Sequence, residues 1–134
     1  MVRGTCKLLG AIFLVVVVAG FLKSDLLGMH LSTWHNVVHL VSGALALAFG
    51  FGRSENAAIT FCRVFGTVYF LLGIVGFIAP DTVHALLRAG ESAAGASLAA
   101  DNAVHIAFGL AFLVPGLARA RQPTSTTPTT PRAA

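Results

Sequence analysis

Four stretches of this chain carry no charged residue: positions 8–22, 36–52, 64–80 and 102–118. A helix that crosses a bilayer needs about 17–25 largely apolar residues, and the last three stretches just reach that length. The first is shorter, but Lys7 and Lys23 stand at its ends. Such long basic side chains keep their stems in hydrocarbon and their charges at the headgroups. Only 10% of the residues are charged and 56% are apolar, with mean hydropathy +0.83. Soluble domains carry about a quarter charged residues, so four helices of this kind have too little polar surface to face water. The expected fold class is an all-α membrane protein with four transmembrane helices.

The second and fourth stretches repeat one another. Asn36-x-x-His39-x-x-x-Gly43 recurs as Asn102-x-x-His105-x-x-x-Gly109, with Leu47/Leu113 and Gly50/Gly116 in the same register. At about 100° per residue these positions fall on one face of a helix. The first and third stretches match as well: Cys6, Gly10, Gly20 and Phe21 recur as Cys62, Gly66, Gly76 and Phe77. The chain therefore reads as two tandem, parallel-repeated helical hairpins, about 5–52 and 61–118. Arg3 and Lys7 followed by an apolar run look like a secretory leader. Because an internal segment mirrors that run, it is expected to remain as a helix. Small residues on all four spans allow the close backbone approach that joins membrane helices.

Charge sets the expected topology. Arg3, Lys7, Arg53, Arg63, Arg119, Arg121 and Arg132 fall on one side of the four spans, and only Lys23 and Arg88 on the other. The positive-inside rule then puts both termini in the cytoplasm of a multi-pass inner-membrane protein. Trp34 stands where an interfacial anchor is expected. The net charge of +4 is explained by this orientation, and no nucleic-acid partner is implied. The transmembrane domain is assigned to 1–121. Residues 122–134, rich in Thr and Pro, read as a disordered cytoplasmic tail. The connections 24–34 and 81–100 read as outer loops, with Pro80 ending the third span and with His30 and His84 solvated.

The chemistry-bearing residues concentrate at one end of the second and fourth spans. Each carries a pair four residues apart: His35/His39 and Asp101/His105. The first reading is helix packing, in which the face of Asn36, His39, Gly43, Asn102, His105 and Gly109 joins the two spans by hydrogen bonds. Ser32 or Thr33, and Asp101, are the candidate helix caps. On that reading no cofactor is needed. In the alternative reading His35, His39, Asp101 and His105 hold a transition metal, or His39 and His105 are the axial pair of a haem. Polar residues at membrane depth also raise a proton or solute path, for which four spans would need an oligomer. Cys6 and Cys62 read as small structural residues. The chain has no nucleophile elbow, zinc-protease motif or phosphate loop, so no enzyme is expected. The expected partners are the lipid bilayer and a second copy or another membrane protein.

With Asn-x-x-His-x-x-x-Gly opening the second and fourth spans and Gly-Phe closing the first and third, the chain resembles a bacterial membrane family known as domain of unknown function 4383. The matching residues are Gly20, Phe21, Asn36, His39, Gly43, Gly76, Phe77, Asn102, His105 and Gly109. The resemblance implies a four-helix inner-membrane protein and supplies no activity, substrate or partner.

Overall fold

Helix α1 (Val2–Leu22) runs through both Arg3 and Lys7, and α2 (Thr33–Phe51), α3 (Glu55–Ile78) and α5 (Leu98–Ala118) follow the other three apolar stretches. This is a computed structural model, and it describes residues 1–26, 29–52, 54–88 and 98–118. Helices of 19 to 24 residues rise about 1.5 Å per residue, enough to cross a hydrocarbon core of about 30 Å. About a third of each span is buried inside the molecule. The rest presents apolar side chains such as Val15, Val41, Leu71 and Leu110 outward, as a lipid-facing surface requires. The protein is a four-span membrane protein.

The connections differ from the sequence expectation. Asp25–Leu26 (β1) and Met29–His30 (β2) pair as a two-residue antiparallel ladder before α2. The segment after α3 is no plain loop: Pro80–Arg88 forms a short helix, α4. Pro80 does both jobs: α3 ends just before it, with Ala79 as a non-helical C-cap. It also opens α4, where a first-turn N–H would have no intrahelical partner to lose and the fixed φ of proline fits. Val83 is buried, and with Thr82 and Leu86 it lines an open groove whose other wall is Val68, Leu71, Leu72 and Val75 of α3. His30 and His84 therefore lie in β2 and α4, their side chains outside the described residues. Outside them too lie 89–97 and the proposed tail at 122–134.

Two tight hairpins make up the bundle, α1 on α2 and α3 on α5. Each is joined where glycine removes the side chain between two backbones. A Cβ at Gly10 would lie 3.0 Å from Gly43 O and from Leu47 N; at Gly66 it would lie 2.8 Å from Gly109 O and from Leu113 N. At one end Arg3 Nε donates to Gly50 O (3.2 Å) and Arg63 Nε donates to Gly116 O (2.9 Å). Both guanidinium groups thus satisfy carbonyls at helix C-termini, where cations are favoured. Lys7 reaches over the Phe51 ring at 4.5 Å, a cation–π contact.

Between the hairpins the filling is aromatic. Phe13 of α1, 1% exposed, has its ring centroid 4.6 Å from Phe108, 5.4 Å from Tyr69 and 5.3 Å from His39. Phe61, Phe65 and Phe112 continue the stack toward the basic end. There Cys6 and Cys62, both buried, place their sulfurs 3.2 Å apart as free thiols.

Gly109→Ala tests the hairpin joint, since its Cβ would meet the backbone N and Cα of Phe70. We expect it to lower thermal stability in detergent by about 1–3 kcal/mol. Gly4→Ala, with nothing within 4 Å of its Cβ, should be neutral or slightly stabilising. Equal behaviour of the two would refute packing through glycine.

Candidate functional site: a histidine cluster between the hairpins

Residues four apart lie one above the other on a helix, so α2 presents His35 with His39 and α5 presents Asp101 with His105. Ser32 fixes the start of α2, its Oγ accepting the His35 N–H at 3.0 Å; this is the cap foreseen for that helix. Asp101 does not cap its own helix. α5 begins at Leu98, which puts Asp101 inside the first turn. Its backbone carbonyl accepts from His105 Nδ1 at 2.7 Å. A carbonyl can only accept, so Nδ1 carries the proton and the neutral ring keeps its lone pair on Nε2.

The hairpins bring three of these side chains together. One ring nitrogen of each of His35, His39 and His105 lies within 4.8 Å of the others. Ring centroids are 4.4 Å apart for His35/His39, 5.7 Å for His35/His105 and 6.5 Å for His39/His105. All three rings are buried, as is Asp101. They line a cavity of about 30 Å³ walled also by Phe13, Tyr69 and Phe108. A space of that size admits a water or a single ion. Among the described residues His39 Nδ1 has no hydrogen-bond partner, although His39 is only 7% exposed.

The rest of the predicted face goes elsewhere. Asn36 sits with its amide against Gly20 of α1, and its Nδ2 donates weakly to Leu31 O at 3.5 Å. Asn102 sits in the same way against Gly76 of α3. Gly43 meets Phe13 and Gly10 of α1, while Gly109 meets Phe70 of α3. The expectation that these faces knit the second and fourth spans to each other is corrected. The asparagines and glycines join each span to its own hairpin partner, because a glycine on one helix is filled by the matching gap or amide on its nearest neighbour. The histidines, one step around the helix, are what meets across the middle.

Sequence reasoning did not count Phe13, Ser42 and Tyr69 among the site residues. Phe13 and Tyr69 hold matched positions in the two hairpins and pack against each other, and Tyr69 Oη lies 2.9 Å from Ser42 Oγ. That buried hydrogen bond ties α3 to α2, one turn below His39. The signal available was the pairing of an aromatic with an aromatic at equivalent positions of two first helices. Nothing local pointed to Ser42.

A family model described as Domain of unknown function (DUF4383) matches residues 3–118. The chain belongs to this family. The match takes in both hairpins and every residue of the histidine cluster. No curated protein and no solved structure matches the chain.

The Ser42–Tyr69 bond yields a direct test. Tyr69→Phe and Ser42→Ala should each cost about 0.5–1.5 kcal/mol, and the double variant should cost clearly less than their sum. Strict additivity of thermal unfolding in detergent would mean that the bond does not form.

Proposed function

We propose that this protein is a non-enzymatic structural or accessory component of a bacterial inner membrane, working as a rigid unit that a second copy or another membrane protein binds from the side. The observation that carries this reading is the filled centre of the bundle. Ligand pockets enclose about 300–1,000 Å³, whereas the cavity between these hairpins is about 30 Å³. From the histidines toward the basic end, Phe13, Phe65, Phe108 and Phe112 occupy the space a solute or a water chain would need. What the molecule offers a neighbour is its apolar outside.

Two further assignments belong to this reading. We assign both termini to the cytoplasm; the reading is supported by Arg3, Lys7 and Arg63, which gather at the end of the bundle where the two sulfurs meet, since basic residues stay on the cytoplasmic side. The two hairpins are taken as a parallel repeat, supported by contacts that recur in register: Gly10 and Gly66 on the backbone of the next helix, Gly20 and Gly76 under an asparagine amide, Arg3 and Arg63 on a C-terminal carbonyl.

Photo-crosslinkers placed one at a time at Val15, Val41, Leu71 and Leu110, in the full chain in its native membrane, test the accessory role. Adducts to one membrane protein or to a second copy should cluster at one or two neighbouring positions. Lipid adducts alone at all four, or ion flux through proteoliposomes of the purified protein above that of empty vesicles, would overturn it. Reporter fusions at the two termini should both report cytoplasm; a periplasmic signal from either refutes the orientation.

A further inference from the structure

The scaffold reading gives the histidine cluster no task, and the cluster is costly. Three imidazoles and a carboxylate lie buried beside aromatic rings, and a buried polar atom left unpaired, as His39 Nδ1 is among the described residues, loses free energy. Helix packing alone needs no such set, because the asparagine–glycine contacts already join each hairpin. We propose that His35, His39 and His105 bind one divalent transition-metal ion of the zinc class, with Asp101 supplying the fourth donor.

Four observations converge on this site. The three ligand nitrogens already lie within 4.8 Å of one another. Zinc–imidazole bonds of about 2.0–2.1 Å in a tetrahedron place ligand atoms roughly 3.4 Å apart, a difference that small side-chain rotations cover. His39 Nδ1 has no hydrogen-bond partner among the described residues, though its ring lines the cavity. His105 donates Nδ1–H to the Asp101 carbonyl at 2.7 Å, which leaves Nε2 as the donor to a metal. Metal-ligating histidines are commonly held in this way by a carbonyl behind the ring. Finally, Asp101 is 5% exposed and lines the same cavity; its carboxylate is not among the ligand atoms grouped within 4.8 Å, so a rotation of its side chain has to bring it in as fourth donor.

Donor chemistry narrows the guest. Three imidazoles and one carboxylate suit zinc and its first-row neighbours, whereas magnesium and calcium require oxygen shells. The carboxylate also halves the net charge that a divalent ion brings into an apolar interior. Haem is a poor fit: a macrocycle between His39 and His105 needs far more than the roughly 30 Å³ that the aromatic rings leave.

The experiment uses the full chain in mild detergent, stripped with chelator and then titrated with Zn2+ or Co2+. One equivalent should bind per chain, and the Co2+ form should show the intense visible absorption of a four-coordinate ion. Zinc-edge X-ray absorption of the unmutated protein, which depends on no variant folding, should report imidazole nitrogen and oxygen ligands. His39→Gln and His105→Gln should each weaken binding at least about 100-fold, and Asp101→Asn about 10–100-fold. The double variant Cys6→Ser/Cys62→Ser, which removes the rival soft donors at the other end of the bundle, should bind as the parent does. No binding at one equivalent, a sulfur or six-oxygen shell, or affinity unchanged in both histidine variants would overturn the site. Unchanged affinity in Asp101→Asn would overturn its four-donor form.

Discussion

The structure depends on helix backbones coming into direct contact inside each hairpin. Within a bilayer the hydrophobic effect gives no net attraction between spans, since lipid tails are as apolar as leucine. Dispersion and close packing have to hold them, and these fall off steeply with even a small gap. Glycines Gly10, Gly43, Gly66 and Gly109 let α1 reach α2 and let α3 reach α5 at backbone distance. With the pairs fixed at that spacing, Arg3 and Arg63 can reach the carbonyls at the ends of α2 and α5.

Assembly of the two pairs uses a different chemistry. Across the middle the helices stand further apart, and rings bridge the distance. Phe13 is central, touching Phe65, Tyr69, Phe108 and Phe112 as well as His39. Aromatic pairs of this kind contribute about 0.5–1.5 kcal/mol each beyond their area. The layer runs from the touching thiols of Cys6 and Cys62 to the three imidazoles at the opposite end. Polar groups therefore stand at the two ends of an apolar seam, and the space among the histidines is bounded on one side by Phe13 and Phe108.

Much of this was legible beforehand, and the exceptions follow one pattern. Four spans and their approximate limits came from charge-free length, and the recurrence of Asn36 and His39 as Asn102 and His105 came from repetition. The short helix Pro80–Arg88 was read as loop because its apolar residues, Val83 and Leu86, make too brief a pattern to separate from a turn. Asp101 was read as a cap because it precedes an apolar run, yet the helix begins at Leu98. Ser42 and Tyr69 bond across hairpins, a contact between distant segments that no local spacing encodes.

By itself the sequence determined that the chain lies in a membrane, crosses it four times and marks two helices with the same asparagine, histidine and glycine face. These follow from composition and period, which are properties of single segments. Only the tertiary structure decided which neighbour each part of that face meets. A residue's position on its helix fixes the direction in which it points, but not which helix stands there. Packing at glycine brought each hairpin's own partner against Asn36, Gly43, Asn102 and Gly109, and so turned His35, His39 and His105 toward one another.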